Sequence, residues 1–122
     1  MNLLLDTHTF LWWDENELPV RVVARIQKAD QVFVSAVTAW EIAIKSGIGK
    51  LPARADVAQA IADYGFAELP IEVRHASGLR SLPLHHRDPF DRMLVAQAKA
   101  EGLAIVSRDP LLSRYPVHVV WA

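Results

Sequence analysis

The sequence contains no cysteine. Disulfides, thiolate zinc sites and cysteine nucleophiles are therefore excluded, and any metal must be held by oxygen or imidazole ligands. It also lacks an apolar run approaching the roughly 20 residues that cross a bilayer. Met1–Leu5 lacks the basic flank of a secretory signal, so a cytoplasmic chain without membrane association is expected. Neither sign of charge is in excess: 13 Lys and Arg face 14 Asp and Glu, for a formal net charge of -1. The strongly basic balance of a nonspecific nucleic-acid binder is missing. Internal repeats, low-complexity tracts and linkers are absent too. What is present is 122 residues, 52% hydrophobic and 22% charged, enough for one folded domain spanning 1–122 and inconsistent with intrinsic disorder. The apolar excess hints at a surface buried against a partner.

Along the chain, short apolar runs alternate with amphipathic stretches. Leu3-Leu4-Leu5 stops at Asp6 and is followed by Phe10, Leu11 and Trp12, a strand and then a helix. Val32-Phe33-Val34-Ser35 repeats the pattern, passing into a helix over Thr38–Lys45 that Gly47 and Gly49 end. Ala55–Tyr64 has helical spacing, Phe66–Ile71 reads as a third strand, and Val73–Leu82 as a short helix. After a loop at Pro83–Arg87, a helix covers Met93–Glu101 and stops at Gly102. Leu103–Val106 is a strand, Asp109-Pro110 starts a helical turn, and Val117–Trp121 is a final strand. Strands alternating with helices predict an α/β sandwich around a mostly parallel sheet.

Acidic residues fall at the joints of this pattern. Asp6 follows the first strand, Glu41 lies in the helix start after the second, Asp91 opens the helix before the fourth, and Asp109 follows that fourth strand. In an open parallel sheet the carboxyl ends of strands share one edge, and ligands bind there, where strand order reverses. Each acid also has a plainer use. Thr38-Ala39-Trp40-Glu41 reads as a capping box; Asp88-Pro89-Phe90-Asp91 places an aspartate at the N-cap, proline at the first helical position and an acid in the first turn; Asp109-Pro110 repeats the device. Asp6 is harder to explain as a cap, because an unpaired charge at the end of a buried central strand is costly.

Carboxylates sharing a pocket repel one another, and a divalent cation with a preference for oxygen relieves that repulsion. A cluster of these acids therefore predicts magnesium or manganese, ions that orient water and stabilise the attacking and leaving oxygens at a phosphodiester. Lys45, Arg87, Arg92 and Arg108 lie near the acids in sequence and are candidates for meeting phosphates. His85-His86 reads as an exposed loop pair, with shaping of the pocket mouth as its alternative use, and Trp40 as a packing residue.

Four blocks, Leu4-Leu5-Asp6-Thr7-His8, Ser35-Ala36-Val37-Thr38-Ala39-Trp40-Glu41-Ile42, His85-His86-Arg87-Asp88-Pro89-Phe90-Asp91-Arg92 and Ser107-Arg108-Asp109, together resemble a PIN-domain ribonuclease of the VapC toxin type. The resemblance implies a three-layer α/β/α fold, magnesium- or manganese-dependent cleavage of RNA, pairing with a small antitoxin, and a homodimer. It assigns catalytic and metal-binding roles to Asp6, Glu41, Asp91 and Asp109, with Asp88 as a neighbouring N-cap and Ser107 as a supporting hydrogen-bonder. Two other readings stand beside it. An aspartate-based phosphohydrolase or phospho-receiver would use Asp6, although His8 breaks the expected Asp-x-Asp and no lysine follows the last strands. A binding module without catalysis would use every acid as a cap and the apolar surface for a protein partner.

Overall fold

A computed structural model describes residues 1–49 and 56–122. The elements, in chain order, are β1 (Asn2–Leu5), α1 (Thr7–Asp14), α2 (Val20–Lys28), β2 (Gln31–Ser35), α3 (Ala36–Gly47), α4 (Val57–Asp63), β3 (Ala67–Leu69), α5 (Val73–Gly78), α6 (Pro89–Glu101), β4 (Ala104–Ser107) and β5 (Val119–Trp121), with 3-10 turns at Leu79–Ser81 and Pro110–Arg114. The five strands form one sheet in the order β3-β2-β1-β4-β5, and every described pairing is parallel. The architecture is therefore a parallel sheet between two helical layers. No described helix is long and apolar enough to cross a membrane.

Strand alternation splits the core into two clusters. Leu3, Leu5, Ala104 and Val106 face one side, packed with Phe10 of α1, Val22 and Ile26 of α2, and Ile61 of α4. Leu4 and Ile105 face the other, packed with Leu94, Val95 and Ala98 of α6, with Leu112, and with Tyr115. Period-two alternation with apolar residues on both faces is what a central strand covered by helices on both sides requires. Near-complete burial of Leu3, Leu4 and Leu5 anchors the end of β1, from which Asp6 emerges.

The strand boundaries differ from the sequence reading by a residue or two, with β3 ending before Pro70, which cannot extend a ladder. Helix α2 is not supplied by that reading. Its Val-rich Val20–Lys28 segment has strand-like propensity, but Val22 and Ile26, four apart, bury one helical face and tertiary packing decides the outcome. Ala55, the first residue of the expected third helix, lies outside the described residues; α4 starts at Val57 behind an Asp56 cap whose carboxylate accepts the Gln59 amide at 2.9 Å. Gly102 closes α6 at φ 68°, a left-handed conformation that glycine adopts without Cβ strain.

Candidate metal centre

Strand order reverses between β1 and β4, the two strands that end in Asp6 and in Ser107-Arg108-Asp109. In open parallel sheets such a switch point is where ligands bind, outside the carboxyl ends of the strands. Asp6 N-caps α1, its Oδ1 accepting the Thr9 amide at 2.9 Å, and is itself buried. The cap explains how the backbone turns, but burial still pushes the Asp6 carboxyl up, and the hydroxyl of Ser107 and hydrogen bonds from Thr9 restore only part. Ser107, fully buried, also accepts the Asp109 amide at 3.0 Å, so it ties the β4 turn to Asp6.

Glu41 does not fill the capping-box role expected of Thr38–Glu41. The N-cap of α3 is Ser35, whose Oγ accepts the Val37 amide at 3.0 Å, because the helix starts earlier than Thr38. Glu41 instead sits buried within the helix, its Oε1 accepting the Thr7 hydroxyl at 2.6 Å and its Oε2 ion-paired with Lys45. The Thr7 hydroxyl is also 3.2 Å from that of Thr38. Since Thr7 directly follows Asp6, this hydroxyl pins α3 to the end of β1 and holds the two acids at one place.

Helix α6 brings the third acid. Asp88 is its N-cap, Oδ1 accepting the amides of Phe90 at 2.8 Å and Asp91 at 3.1 Å, with Pro89 at the first helical position as the sequence suggests. The cap leaves the Asp91 carboxylate unused by the backbone. Burial pushes its pKa up to about 7, and Asp88, Asp6 and Glu41 add repulsion while His86 opposes it. Asp6, Glu41, Asp88 and Asp91 are thus brought within electrostatic reach of one another. Lys45, whose Nζ is 4.0 Å from Asp88 Oδ2, compensates part of this charge.

Asp109 caps the Pro110–Arg114 turn, Oδ1 accepting the Leu111 amide at 2.9 Å. Its other oxygen contacts the residue that sequence reasoning misjudged. His86 is not an exposed loop residue: its Nε2 lies 2.6 Å from Asp109 Oδ2 and 3.1 Å from Asp91 Oδ2, while Nδ1 accepts the Asp88 amide at 3.1 Å. An accepting Nδ1 places the proton of the neutral ring on Nε2, between the two carboxylates. Tyr115 holds the His85-His86 backbone, its hydroxyl accepting both amides at 3.1 and 2.9 Å. The signal for His86 was its place two residues before the Asp88 cap, inside the third block.

His86, Asp91 and Asp109 form a group in which ligand atoms lie within 4.8 Å of one another; Asp6 and Glu41 stand beside it rather than in it. The donor set, mostly carboxylate oxygens with surplus negative charge, suits a hard divalent cation. A second such group, Glu72, His75 and Glu101, is a different case. Arg74 pairs with both of its carboxylates, and buried His75 accepts the Glu72 amide at 2.9 Å and meets Glu101 at 2.9 Å, a hydrogen-bonded network that already holds a cation of its own and staples α5 to α6. Arg92 likewise turns away from any phosphate role, its guanidinium spent on Pro83 O at 3.0 Å, the Tyr115 hydroxyl at 3.3 Å and the carbonyls of Leu79 and Leu82. Trp40 packs edge-on against Phe90, centroids 5.0 Å apart, although about half of it is exposed.

The sequence pattern of the PIN domain matches residues 3–117. Among solved structures, the chain is similar to VapBC2 from Rickettsia felis bound to a promoter DNA fragment, with a TM-score of 0.73 at 14% identity over 100% of both chains. It is similar to DNA-bound VapBC from Salmonella typhimurium, with a TM-score of 0.72 at 18% identity over 98% and 97% of the two chains, and to FitAcB from Neisseria gonorrhoeae, with a TM-score of 0.67 at 23% identity over 98% and 96%. At these identities the likeness is one of fold. Comparison with curated proteins yields no significant match.

Proposed function

The chain belongs to the PIN domain family, and from that premise we propose that it is a magnesium- or manganese-dependent endoribonuclease acting as the toxin of a toxin–antitoxin pair. Nuclease activity is the general property of the family, and the similar solved structures include VapBC and FitAcB proteins and a toxin–antitoxin complex from Klebsiella pneumoniae. The observation that carries the reading is the carboxylate cluster at the β1/β4 switch point, where Asp91 is pushed up to about 7 by burial and by Asp88, Asp6 and Glu41. Such crowding of anions costs stability unless a cation is held there.

In this reading Asp6, Glu41, Asp91 and Asp109 hold the ion. When bound, magnesium or manganese supplies an oriented water and charge stabilisation for phosphodiester hydrolysis. The chain's own residues do the positioning. Thr7 orients Glu41, Ser107 sets the Asp109 turn against Asp6, and His86 fixes the Asp91 and Asp109 carboxylates by presenting Nε2 to both. Outer partners of this kind tune a ligand's direction and basicity.

An antitoxin and a second copy of the chain both need exposed apolar surface to bury. Trp40 and Ile44 of α3 and Ile48 at its C-cap are exposed, and an apolar groove lies between α3, α4 and β3, lined by Ala39, Val57, Ile61, Leu69 and Pro70. This surface supports the protein partners proposed here. The function is tested by incubating purified protein with single-stranded RNA in magnesium or manganese, with and without chelator. Metal-dependent cleavage lost in Asp6→Asn and Asp91→Asn is expected. Cleavage that survives chelator, or both substitutions, overturns the mechanism; a protein that binds no manganese and cuts no RNA returns the fold to the status of a binding module.

A further inference from the structure

A carboxylate-rich pocket repels the polyanion it is proposed to cut, so some cation must hold the backbone close. Of the four candidates from the sequence, Lys45 is paired with Glu41, Arg92 is spent on backbone carbonyls and Tyr115, and Arg87 is exposed on the loop side. Arg108 is set differently. It lies between Ser107, which contacts Asp6, and Asp109, and its Nε donates to the Ala122 backbone oxygen at 2.7 Å. Its guanidinium carbon stands 4.1 Å from the centroid of the Trp12 ring, on the helix that Asp6 caps.

The anchored Nε and the stacked face fix the plane of the guanidinium and leave one edge for other use. That edge carries Nη1 and Nη2, which make no hydrogen bond or ion pair among the described residues. Arg92 shows what a structural arginine looks like in this fold, with both terminal nitrogens bonded to protein oxygens. An oriented fork with two free nitrogens, beside a carboxylate site and partly exposed, has the geometry for bidentate recognition of a phosphate. Stacking and the Nε anchor also remove in advance much of the side-chain entropy that binding would otherwise cost.

We propose that Arg108, clamped between the Trp12 ring and the Ala122 backbone oxygen, grips the backbone phosphate that neighbours the one at the carboxylates when a single-stranded RNA enters the site. The inference rests on the ribonuclease reading and adds a substrate-binding residue to it. The acids would hold the ion that faces the reacting phosphate, and Arg108 sets the register of the strand.

The test measures kcat and KM on a labelled single-stranded oligoribonucleotide in manganese, across a series of salt concentrations, for wild type, Arg108→Gln, Arg108→Lys and Arg25→Gln. Arg25 is the control, since its Nη2 contacts Met1 Sδ at 3.9 Å, at the amino-terminal edge of the sheet. One lost phosphate contact to a single strand lowers the slope of log affinity against log salt by about 0.7. Arg108→Gln is expected to raise KM about tenfold with kcat within about twofold, and to lose that increment of salt slope. Arg108→Lys keeps the charge but not the fork, so its slope stays near wild type while KM rises. Arg25→Gln matches wild type. The proposal is overturned if Arg108→Gln keeps the wild-type KM and slope, if Arg108→Lys is indistinguishable from wild type in KM, or if Arg25→Gln weakens binding as much. A wild-type protein that cuts no RNA sinks the ribonuclease reading itself; a wild-type protein that cuts RNA, with Arg108→Gln equal to it, sinks only this inference.

Discussion

At the scale of single residues, capping and proposed catalysis are shared out rather than opposed. Asp6, Asp88 and Asp109 each cap a helix or turn with one oxygen, whereas Glu41 and Asp91 give nothing to the backbone. Sequence alone suggested the reverse for Asp6 and Glu41, because a Thr-x-x-Glu spacing is identical whether or not the threonine starts the helix. Only the position of Ser35, set by where β2 ends, decides it. His86 was not legible for a related reason: nothing in its spacing shows that Asp91 and Asp109, 18 positions apart in the chain, close around one imidazole. Its removal gives a prediction. His86→Ala leaves both carboxylates without a shared donor and is expected to weaken manganese affinity by about 10- to 100-fold, the usual effect of losing an outer-shell partner, measured by calorimetric titration. Asp91→Asn removes an anion from a crowded site; in the absence of metal its melting temperature at pH 8 is expected to exceed wild type, although cleavage falls by more than about 100-fold.

At the scale of elements, the strand–helix joints were readable because each carries a local rule: an apolar run, then a cap, then an amphipathic helix. The blocks ending β1, opening α6 and following β4 needed no tertiary information. Helix α2 did, since its valines favour a strand until Val22 and Ile26 are seen to bury together. What joins the elements is less local. Ser35 caps α3 and also donates to Gln97 Oε1 of α6 at 2.5 Å, while Gln97 Nε2 donates to Pro70 O at 3.2 Å. This buried link connects the helix bearing Glu41 to the helix bearing Asp91, so it sets their spacing. Ser35→Ala removes the cap and leaves Gln97 short of a partner, and a loss of about 1–3 kcal/mol is expected in denaturant unfolding.

At the scale of the whole molecule, a near-neutral chain concentrates its anions at one edge of a parallel sheet and covers the rest of the core with apolar residues. The pH dependence of stability follows from that concentration. Asp91 is raised from 3.8 to about 7 and buried Asp6 is raised in the same direction, so between these limits the folded state holds more protons than the unfolded chain. The contribution of these two groups to stability in chelator is therefore full at acidic pH and falls as pH rises from about 4 through 7. Thermal melts in chelator should show lower melting temperatures at pH 8 than at pH 5, and manganese added at pH 8 should reverse the loss, since a ligand that binds only the folded state stabilises it. The central claim, that these carboxylates form one cation site, is tested most directly by titrating manganese into metal-free protein and counting bound ion by electron paramagnetic resonance, for wild type beside Asp6→Asn and Asp91→Asn. Saturable binding by wild type that both substitutions abolish or weaken severely is the predicted result; binding that neither substitution changes, or no binding by wild type, would contradict it.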